Sequence, residues 1–435
     1  MNGHTFRARI RNTAPAFIPG LLALLLLVIP GDLFGQRVAI VNGEVHTGTG
    51  EVISGGTVVL EDGVIAAVGA NVSVPPAATV VDAAGKVVTP GFFDSSTRLG
   101  VVEVAAYQGT SDGSSGNPRM TAAFNIAEGI NPASTLFPVA RVEGTTRAVV
   151  VPGPGASLIA GTSALINLGE GSLSDMLEET PLAMYAVLGE GGANYEGGAR
   201  PLALLRLREV FEDVQDFAEH WEAYEEGNRR GYSLSRLDLE ALVPVLTGEL
   251  PLVLQVNRAS DILTALSLKE EFGLSLVLSG VREGWMVAEE IAAAQVPVMT
   301  KAISNMPSME ALGSAYENVA RMHQAGVTVI LSSFDAHNAR NLKHEAGFAV
   351  SYGLPYETAL QAVTLTPARV WGVDDRMGSL EVGKVGDVVV WSGDPFEVME
   401  SAERVFIDGV EISYDTRQKA LFEKYRSLES RPPWR

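Results

Sequence analysis

Few side chains in this sequence could carry chemistry, and no cluster of them has the spacing of a catalytic centre. The chain has 435 residues, with six histidines and no cysteine, which excludes a cysteine nucleophile, thiolate metal sites and iron–sulfur clusters. Asp335 lies at the end of an apolar segment that begins at Val327, where its carboxylate can cap a helix expected to begin near Asn338. Asp335 and His337 could hold a metal ion weakly, but two neighbouring ligands do not make a hydrolytic site.

The remaining reactive side chains are scattered. His4 lies in an apolar N-terminal segment, His46 in a β-rich region, and His220 and His323 in helical stretches, where surface or hydrogen-bonded histidines are common. Lys301 follows a strand end, where it can face a pocket or extend to solvent. The sequence shows neither a Gly-x-Ser-x-Gly nucleophile elbow nor a nucleotide-binding fingerprint.

Composition indicates a large, acidic, folded protein. Hydrophobic residues make up 46% of the chain, enough for a sizeable core, so disorder is excluded as the main state. The net charge is −20. Because such a surface repels phosphate backbones, we expect no nucleic-acid partner.

The N-terminus predicts export. Arg7, Arg9 and Arg11 precede an unbroken apolar run over 21–29, which is the pattern of a secretory signal over residues 1–35. The alternative is an uncleaved anchor, although the run is too short to span a bilayer. An exported chain without cysteine suggests a bacterial periplasm, and we expect the mature protein not to be embedded in a membrane.

The first elements after this segment are short strands. Residues 37–88 alternate apolar runs with turn signals. Asn42-Gly43 after the strand 38–41 predicts a hairpin, and Glu61-Asp62-Gly63 predicts a second turn. We therefore expect a small antiparallel β unit.

After Gly91 the pattern changes to alternating strands and helices. Apolar residues from Leu207 to Trp221 recur with helical periodicity. Strands that recur every 20–30 residues between helices favour a parallel sheet, and about 280 residues of this α/β pattern suit a (β/α)8 TIM barrel. The predicted strands are 147–151, 252–256, 276–278, 296–299 and 327–331, and further helices are predicted at 308–324 and 338–352.

β character returns near the C-terminus. Apolar runs at 387–391 and 404–407 are followed by the turn signal Asp408-Gly409. Two β-rich ends around one α/β body predict that the ends pair in one discontinuous domain. The predicted division is a signal over 1–35, a composite β domain from 36–89 and 372–412, a barrel over 90–371, and a helical tail over 413–435.

Three segments carry a resemblance to a known family. The opening segment 82–94, with its Pro90-Gly91-Phe-Phe-Asp94, and the segments 365–368 and 378–387 resemble the amidohydrolase superfamily, in particular its imidazolonepropionase-like and dihydroorotase-like members. The resemblance implies a metal-bearing TIM barrel with a small β-sandwich domain built from both chain ends. It also implies metal-assisted hydrolysis of amide or related C–N bonds, with zinc or another divalent ion.

The resemblance fails at the metal ligands. The family's His-x-His pair after the first barrel strand corresponds here to Ser96 and Arg98, the fifth-strand histidine to Gln255, and the sixth-strand histidine to Ser279 or its neighbour Gly280. Serine is a poor ligand, and a guanidinium has no lone pair to donate. We therefore expect no metal cofactor.

One family residue has a possible counterpart. The resemblance implies that an aspartate after the eighth strand binds metal and acts as general base. Asp335 lies one residue past the strict position, which Phe334 fills. Asp335 is thus a candidate base, with helix capping as the alternative role.

Two functions follow as hypotheses. The first is an exported hydrolase of C–N bonds in a cyclic amide or peptide-like small molecule, in which Asp335 acts as base and Arg98 stabilises an oxyanion without the usual metal. The second is a non-catalytic binding protein, or a subunit that completes an intact amidohydrolase paralogue in a hetero-oligomer. In that case Arg98 would suit a ligand that carries a carboxylate.

Overall fold

A computed structural model describes residues 37–426 of the chain. The predicted signal segment and the last part of the predicted helical tail lie outside these residues. In chain order the strands are β1 Arg37–His46, β2 Val52–Glu61, β3 Val64–Gly69, β4 Thr79–Asp82, β5 Val87–Pro90, β6 Phe92–Thr97, β7 Thr145–Val150, β8 Ile159–Thr162, β9 Ala164–Asn167, β10 Leu177–Glu179, β11 Met184–Val187, β12 Leu252–Val256, β13 Leu276–Gly280, β14 Val298–Thr300, β15 Val329–Leu331, β16 Val388–Trp391, β17 Ala402–Ile407 and β18 Val410–Glu411.

The helices cover the α/β part of the chain and its C-terminal segment. Across residues 37–426, none of them has the length and apolar character needed to cross a bilayer. The α-helices are α1 Phe137–Arg141, α2 Leu173–Met176, α3 Gly189–Tyr195, α4 Arg200–Glu219, α5 Trp221–Glu225, α6 Arg236–Leu246, α7 Ala259–Phe272, α8 Ala288–Ala293, α9 Asn318–Gln324, α10 Leu342–Ser351, α11 Tyr356–Ala362, α12 Leu365–Val370 and α13 Arg417–Tyr425.

The two β-rich regions pair in one sheet. Its strand order is β18-β17-β16-β5-β1-β2-β3, with β4 also paired to β1. The junction is the antiparallel pair of β5 and β16, in which Val88 faces Val390. Trp391 is buried beside it and donates a hydrogen bond from Nε1 to Thr89 Oγ1 at 2.9 Å. The structure thus confirms that strands from the two regions pair, whereas the predicted domain boundaries stay a prediction.

One turn prediction was wrong. β1 continues through Asn42 and Gly43, and the chain reverses only after His46. Asn42 adopts φ 65°, and the register shifts between Ile40 and Gly43, as a β-bulge requires. Gly43 is needed there because a Cβ would lie 2.7 Å from a methyl group of Val88. The sheet is also mixed rather than purely antiparallel, since β1 runs parallel to β4 and β5.

The α/β part contains two further sheets. One has the order β15-β14-β13-β12-β11-β8 and the other β10-β9-β7-β6. The pairs from β11 to β15 are parallel, as is the pair of β6 and β7. In contrast to the predicted all-parallel arrangement, β8 and β9 run antiparallel to β11 and β7. The fold is therefore mixed α/β, and no closed sheet occurs within the described part of the chain.

These two sheets adjoin at two places. β8 and β9 belong to different sheets but are separated only by Ser163. At the other edge, an isolated parallel bridge joins Thr97 at the end of β6 to Asp335 after β15. The carboxyl ends of β6 and β15 are thereby held next to each other.

The helix predictions were correct where the apolar periodicity was continuous. Leu207, Phe211 and Val214 are buried along α4, as predicted, but Trp221 is exposed in the next helix. The helix predicted over 308–324 was wrong in its first half, since only α9 is helical. The preceding segment is held in turns instead by the carboxylate of Glu283, which accepts the N–H of Gly313.

A buried ion network ties the α/β part to the C-terminal strands. The guanidinium of Arg147 on β7 is 2% exposed and donates from Nε to Asp387 Oδ2 at 2.6 Å and from Nη2 to Asp387 Oδ1 at 3.1 Å. It also contacts Glu178 and Asp408. Arg147 is the one cation that these three carboxylates share, and its removal would leave the buried Asp387 carboxylate without a counterion.

We expect Arg147→Ala to lower the free energy of unfolding by about 3–5 kcal/mol, because buried Asp387 would lose its counterion. The measurement is urea-induced unfolding followed by circular dichroism. Arg208→Ala is the matched control, since Arg208 forms an exposed ion pair with Glu271 and its loss should cost about 1 kcal/mol at most. Equal destabilisation by the two substitutions would contradict this interpretation.

Candidate functional site

A cavity of about 180 Å³ opens at the carboxyl ends of the strands. The four predicted residues Ser96, Arg98, Gln255 and Ser279, which come from three separate segments of the sequence, all line it. Such cavities are the usual ligand sites of α/β folds, because loops and side chains from several strands converge there. The other lining residues are Thr97, Val151, Pro152, Pro154, Ala160, Tyr185, Ala186, Val187 and Phe334.

The wall between β6 and β15 is fixed by the backbone. Phe334 donates its N–H to the carbonyl of Ser96 at 2.8 Å, and Thr97 donates its hydroxyl to the carbonyl of Asp335 at 2.6 Å. Phe334 takes φ 51°, a left-handed conformation that is unusual for a bulky residue and occurs mostly at turns and functional sites. This turn directs Phe334 to the cavity and leaves Asp335 off its lining.

Arg98 presents an uncommitted cation to the cavity. Its side chain is exposed and makes no hydrogen bond or ion pair with any residue of the part that the structure describes. The loop that follows β7 lies against the guanidinium. The approach is so close that a Cβ on Gly153 would lie 2.8 Å from Nη2 of Arg98. The loop therefore limits where the guanidinium can move.

Tyr185 lines the same cavity and carries a buried hydroxyl. The residue is 8% exposed, and its hydroxyl is buried close to Ser163, which does not line the cavity. Burial raises the pKa of Tyr185, and the nearby charge of Asp94 raises it further. The hydroxyl is thus neutral at all ordinary pH values.

Asp94 lies buried behind the cavity. Its Oδ1 accepts the N–H groups of Ser96 at 3.2 Å and Ser333 at 3.1 Å, and its Oδ2 accepts the hydroxyl of Ser333. Burial raises the pKa of Asp94 to about 7, although these hydrogen bonds oppose the shift. Since the side chain is fully buried, its role is to hold the two strand ends and not to contact a ligand.

Asp335 has the geometry of a capping residue. Its Oδ1 accepts the N–H groups of His337 at 2.9 Å and Asn338 at 3.2 Å, and its Oδ2 accepts the side-chain amide of Asn338 at 3.1 Å. Although burial acts in the opposite direction, the hydrogen bonds from Asn338 hold the pKa of Asp335 below its usual range. Such a carboxylate is a weak base. The structure favours the capping alternative, and the catalytic role of Asp335 stays a prediction.

A second cavity of about 230 Å³ adjoins the first. Gln255 and Phe334 line both. Two cations, Arg282 and Lys301, line only the second one. Its remaining lining residues are Asn257, Gly280, Thr300, Ser304 and Asn305.

The residues at the family's ligand positions do not fit a divalent ion. A metal centre needs several imidazole or carboxylate donors around one point. Here the four positions offer two hydroxyls, an amide and the guanidinium of Arg98, which repels a dication. In the described part of the chain, no group of three or more histidines and carboxylates is arranged to hold a metal ion.

Three site residues were missed from the sequence. Tyr185 lies within β11, an apolar strand without a polar pattern, and Arg282 and Asn305 lie in segments without a recognisable motif. Arg282 follows β13 as Lys301 follows β14, so the rule that strand ends meet at one rim could have found it. Asn305 lies in an irregular loop, where no such rule applies.

Comparison with known proteins identifies the family. Residues 278–412 match the amidohydrolase family. The fold is similar to a crystal structure of an amidohydrolase from Thermotoga maritima MSB8, with a TM-score of 0.79 and 28% identity over 86% of this chain and 99% of that one. The chain belongs to the amidohydrolase superfamily. Ser96 and Arg98 lie outside the part that matches the family.

The chain is also similar to other known proteins. This chain is 25% identical to amidohydrolase tasK of Hapsidospora irregularis over 387 residues. The match covers 81% of this chain but only 39% of that relative's length. A 5-methylthioadenosine/S-adenosylhomocysteine deaminase of Desulforudis audaxviator is 39% identical over 98 residues, or 23% of its length. Phenylurea hydrolase B shares the fold alone, with a TM-score of 0.54 and 18% identity over 92% of this chain and all of that one.

We expect Asp94→Asn to remove a pH dependence of stability. Because folding raises the pKa of Asp94 from 3.8 to about 7, the folded state binds more protons between these values. The wild-type free energy of unfolding should therefore fall relative to that of Asp94→Asn as pH rises from about 4 to 7, by up to roughly 1.4 kcal/mol per pH unit. Urea unfolding at a series of pH values measures the difference.

Asp335→Asn is the control, because the pKa of Asp335 shifts in the opposite direction to that of Asp94. The pKa of Asp335 is lowered in the folded state, so its stabilising contribution is present above the unfolded pKa and is lost as pH falls through the folded one. A constant difference between the wild type and Asp94→Asn across pH 4–7 would show that the buried carboxyl does not titrate there.

Proposed function

We propose that this amidohydrolase-superfamily protein binds a small molecule with a carboxylate group, and that its main role is non-catalytic binding. The binding site is the cavity of about 180 Å³ that Ser96, Arg98 and Ser279 line. The observation that carries the proposal is the unpaired guanidinium of Arg98 where the family resemblance implies a metal-ligating histidine. We further propose that the two α/β sheets correspond to the superfamily's (β/α)8 barrel, with β8 and β9 together taking one strand position.

The charge of the cavities supports an anionic ligand. Among the described residues that line the two cavities, none is aspartate, glutamate or histidine, whereas three are arginine or lysine. In a protein with a net charge of −20, unpaired cations at a concave site attract anions locally. Arg98 can donate two parallel hydrogen bonds to a carboxylate.

The second candidate is hydrolysis of C–N bonds, with a cyclic amide or a peptide-like small molecule as substrate. It is favoured by the similarity to the Thermotoga maritima amidohydrolase, of which the match covers 99%. The chemistry would require a base that activates water, and the cavity walls offer no carboxylate or imidazole. The geometry therefore supports binding better than turnover.

The context we propose for the binding role follows from the sequence. A secreted, periplasmic protein of this type would either deliver its ligand or serve as a subunit beside an intact amidohydrolase paralogue. Co-purification from the native host distinguishes these roles, since a persistently solitary monomer would be incompatible with the subunit role.

We expect Arg98→Gln to weaken carboxylate binding at least tenfold, because a charge-assisted hydrogen bond contributes about 1.5–3 kcal/mol. The measurement is isothermal titration calorimetry of the mature protein with N-acetylated amino acids, and with their amides as uncharged analogues. Arg258→Gln is the matched control, since Arg258 is exposed near Gln255 but lines neither cavity. Equal effects of the two substitutions would contradict the proposal.

We expect no turnover of imides, hydantoins or N-acyl amino acids, and no stoichiometric zinc in the purified protein, because the donor set does not suit the ion. Chromatographic product assays with and without a chelator, together with elemental analysis, test both points. Turnover that is lost in Asp335→Asn and insensitive to the chelator would favour the hydrolase candidate. One tightly held zinc per chain would overturn the interpretation of the site.

A further inference from the structure

We infer that the ligand carries two acidic groups, with the second bound by Arg282 and Lys301 in the adjoining cavity. This inference rests on the proposed function, since it assumes that Arg98 binds the first carboxylate. To that function it adds a second anion site, a class of ligand and three residues that determine specificity, namely Arg282, Lys301 and Asn305.

The two cavities can serve one molecule. Each is smaller than the roughly 300–1,000 Å³ that ligand pockets usually have, but Gln255 and Phe334 belong to the walls of both. A ligand that extends past these two side chains would contact Arg98 at one end and Lys301 at the other. Polar side chains line both cavities, among them Ser279 in the first and Asn257 in the second.

The cations of the second cavity have no fixed counterions. Neither Arg282 nor Lys301 forms an ion pair or a side-chain hydrogen bond with any residue in the described range, and both are only half-buried. Three carboxyl groups, those of Asp94, Asp335 and Glu345, are close enough to be influenced by the charge of Lys301.

Those three carboxyl groups already accept hydrogen bonds from backbone N–H groups. Glu345 accepts the N–H groups of Ala302 at 2.7 Å and Ile303 at 2.9 Å, while Asp94 and Asp335 accept the bonds described above. None of the three lines the cavity. They moderate the charge of Lys301 without neutralising it, so an anion that enters the cavity still finds an available cation.

A buried acceptor in the second cavity points to a ligand as well. Asn305 is 2% exposed and donates from Nδ2 to the carbonyl of Ala315 at 2.6 Å, but its Oδ1 is buried with no partner among the described residues. An unpaired buried acceptor is costly. A ligand N–H near the second acidic group would satisfy it, which indicates an N-acylated acidic amino acid or a short acidic peptide.

The test compares two probes that differ by one charge, N-acetyl-L-glutamate and N-acetyl-L-glutamine, by calorimetry with the mature protein. We expect the wild type to bind the glutamate at least tenfold more tightly. Lys301→Gln and Arg282→Gln should each reduce this preference without weakening glutamine binding, whereas Arg98→Gln should weaken both probes. Arg258→Gln is the control, and thermal unfolding checks that every variant is folded.

The outcomes separate this inference from the proposed function. Equal affinity for the two probes, with dependence on Arg98, would overturn the second anion site and leave the proposed function intact. Binding that depends on Lys301 and Arg282 but not on Arg98 would overturn the proposed function and retain the second site. Absence of binding to both probes would count against both.

Discussion

The hydrogen bonds between the end of β6 and the turn after β15 determine the geometry of the whole site. The N–H of Phe334 donates to the carbonyl of Ser96, and the hydroxyl of Thr97 donates to the carbonyl of Asp335. The carboxylate of Asp94 accepts the N–H groups of Ser96 and Ser333. Because this junction is rigid, Arg98 can extend from a fixed base. The left-handed turn at Phe334 is stable because these contacts hold it on both sides.

The electrostatics of the cavities follow from the same junction. Asp94, Glu283 and Asp335 are the acidic residues closest in sequence to the lining, and the carboxylates of all three accept backbone N–H groups. Backbone N–H groups thus compensate these carboxylates, and the charged residues that line the cavities are Arg98, Arg282 and Lys301. A site of this kind prefers anions even though the chain as a whole is strongly acidic.

The sequence was informative where one signal was strong. The apolar run at 252–256 predicted β12 to the residue, and the motif resemblance assigned Ser96, Arg98, Gln255 and Ser279 to one site. It failed where tertiary contacts decided the outcome. Asn42-Gly43 is a strong local hairpin signal, yet the close approach of Val88 makes it a bulge. Phe334 and not Asp335 faces the cavity because Phe334 has a positive φ angle. No residue pattern in the sequence predicts that angle.

The pairing of β5 with β16 has a consequence for how the chain is made. The hydrogen-bonded residues Thr89 and Trp391 are 302 positions apart, so β5 has no neighbour on that side until most of the chain has been synthesised. An apolar strand edge that waits this long invites association with other chains. Protection of the nascent polypeptide by a chaperone would therefore matter more for this fold than for one whose sheets are completed by neighbouring segments.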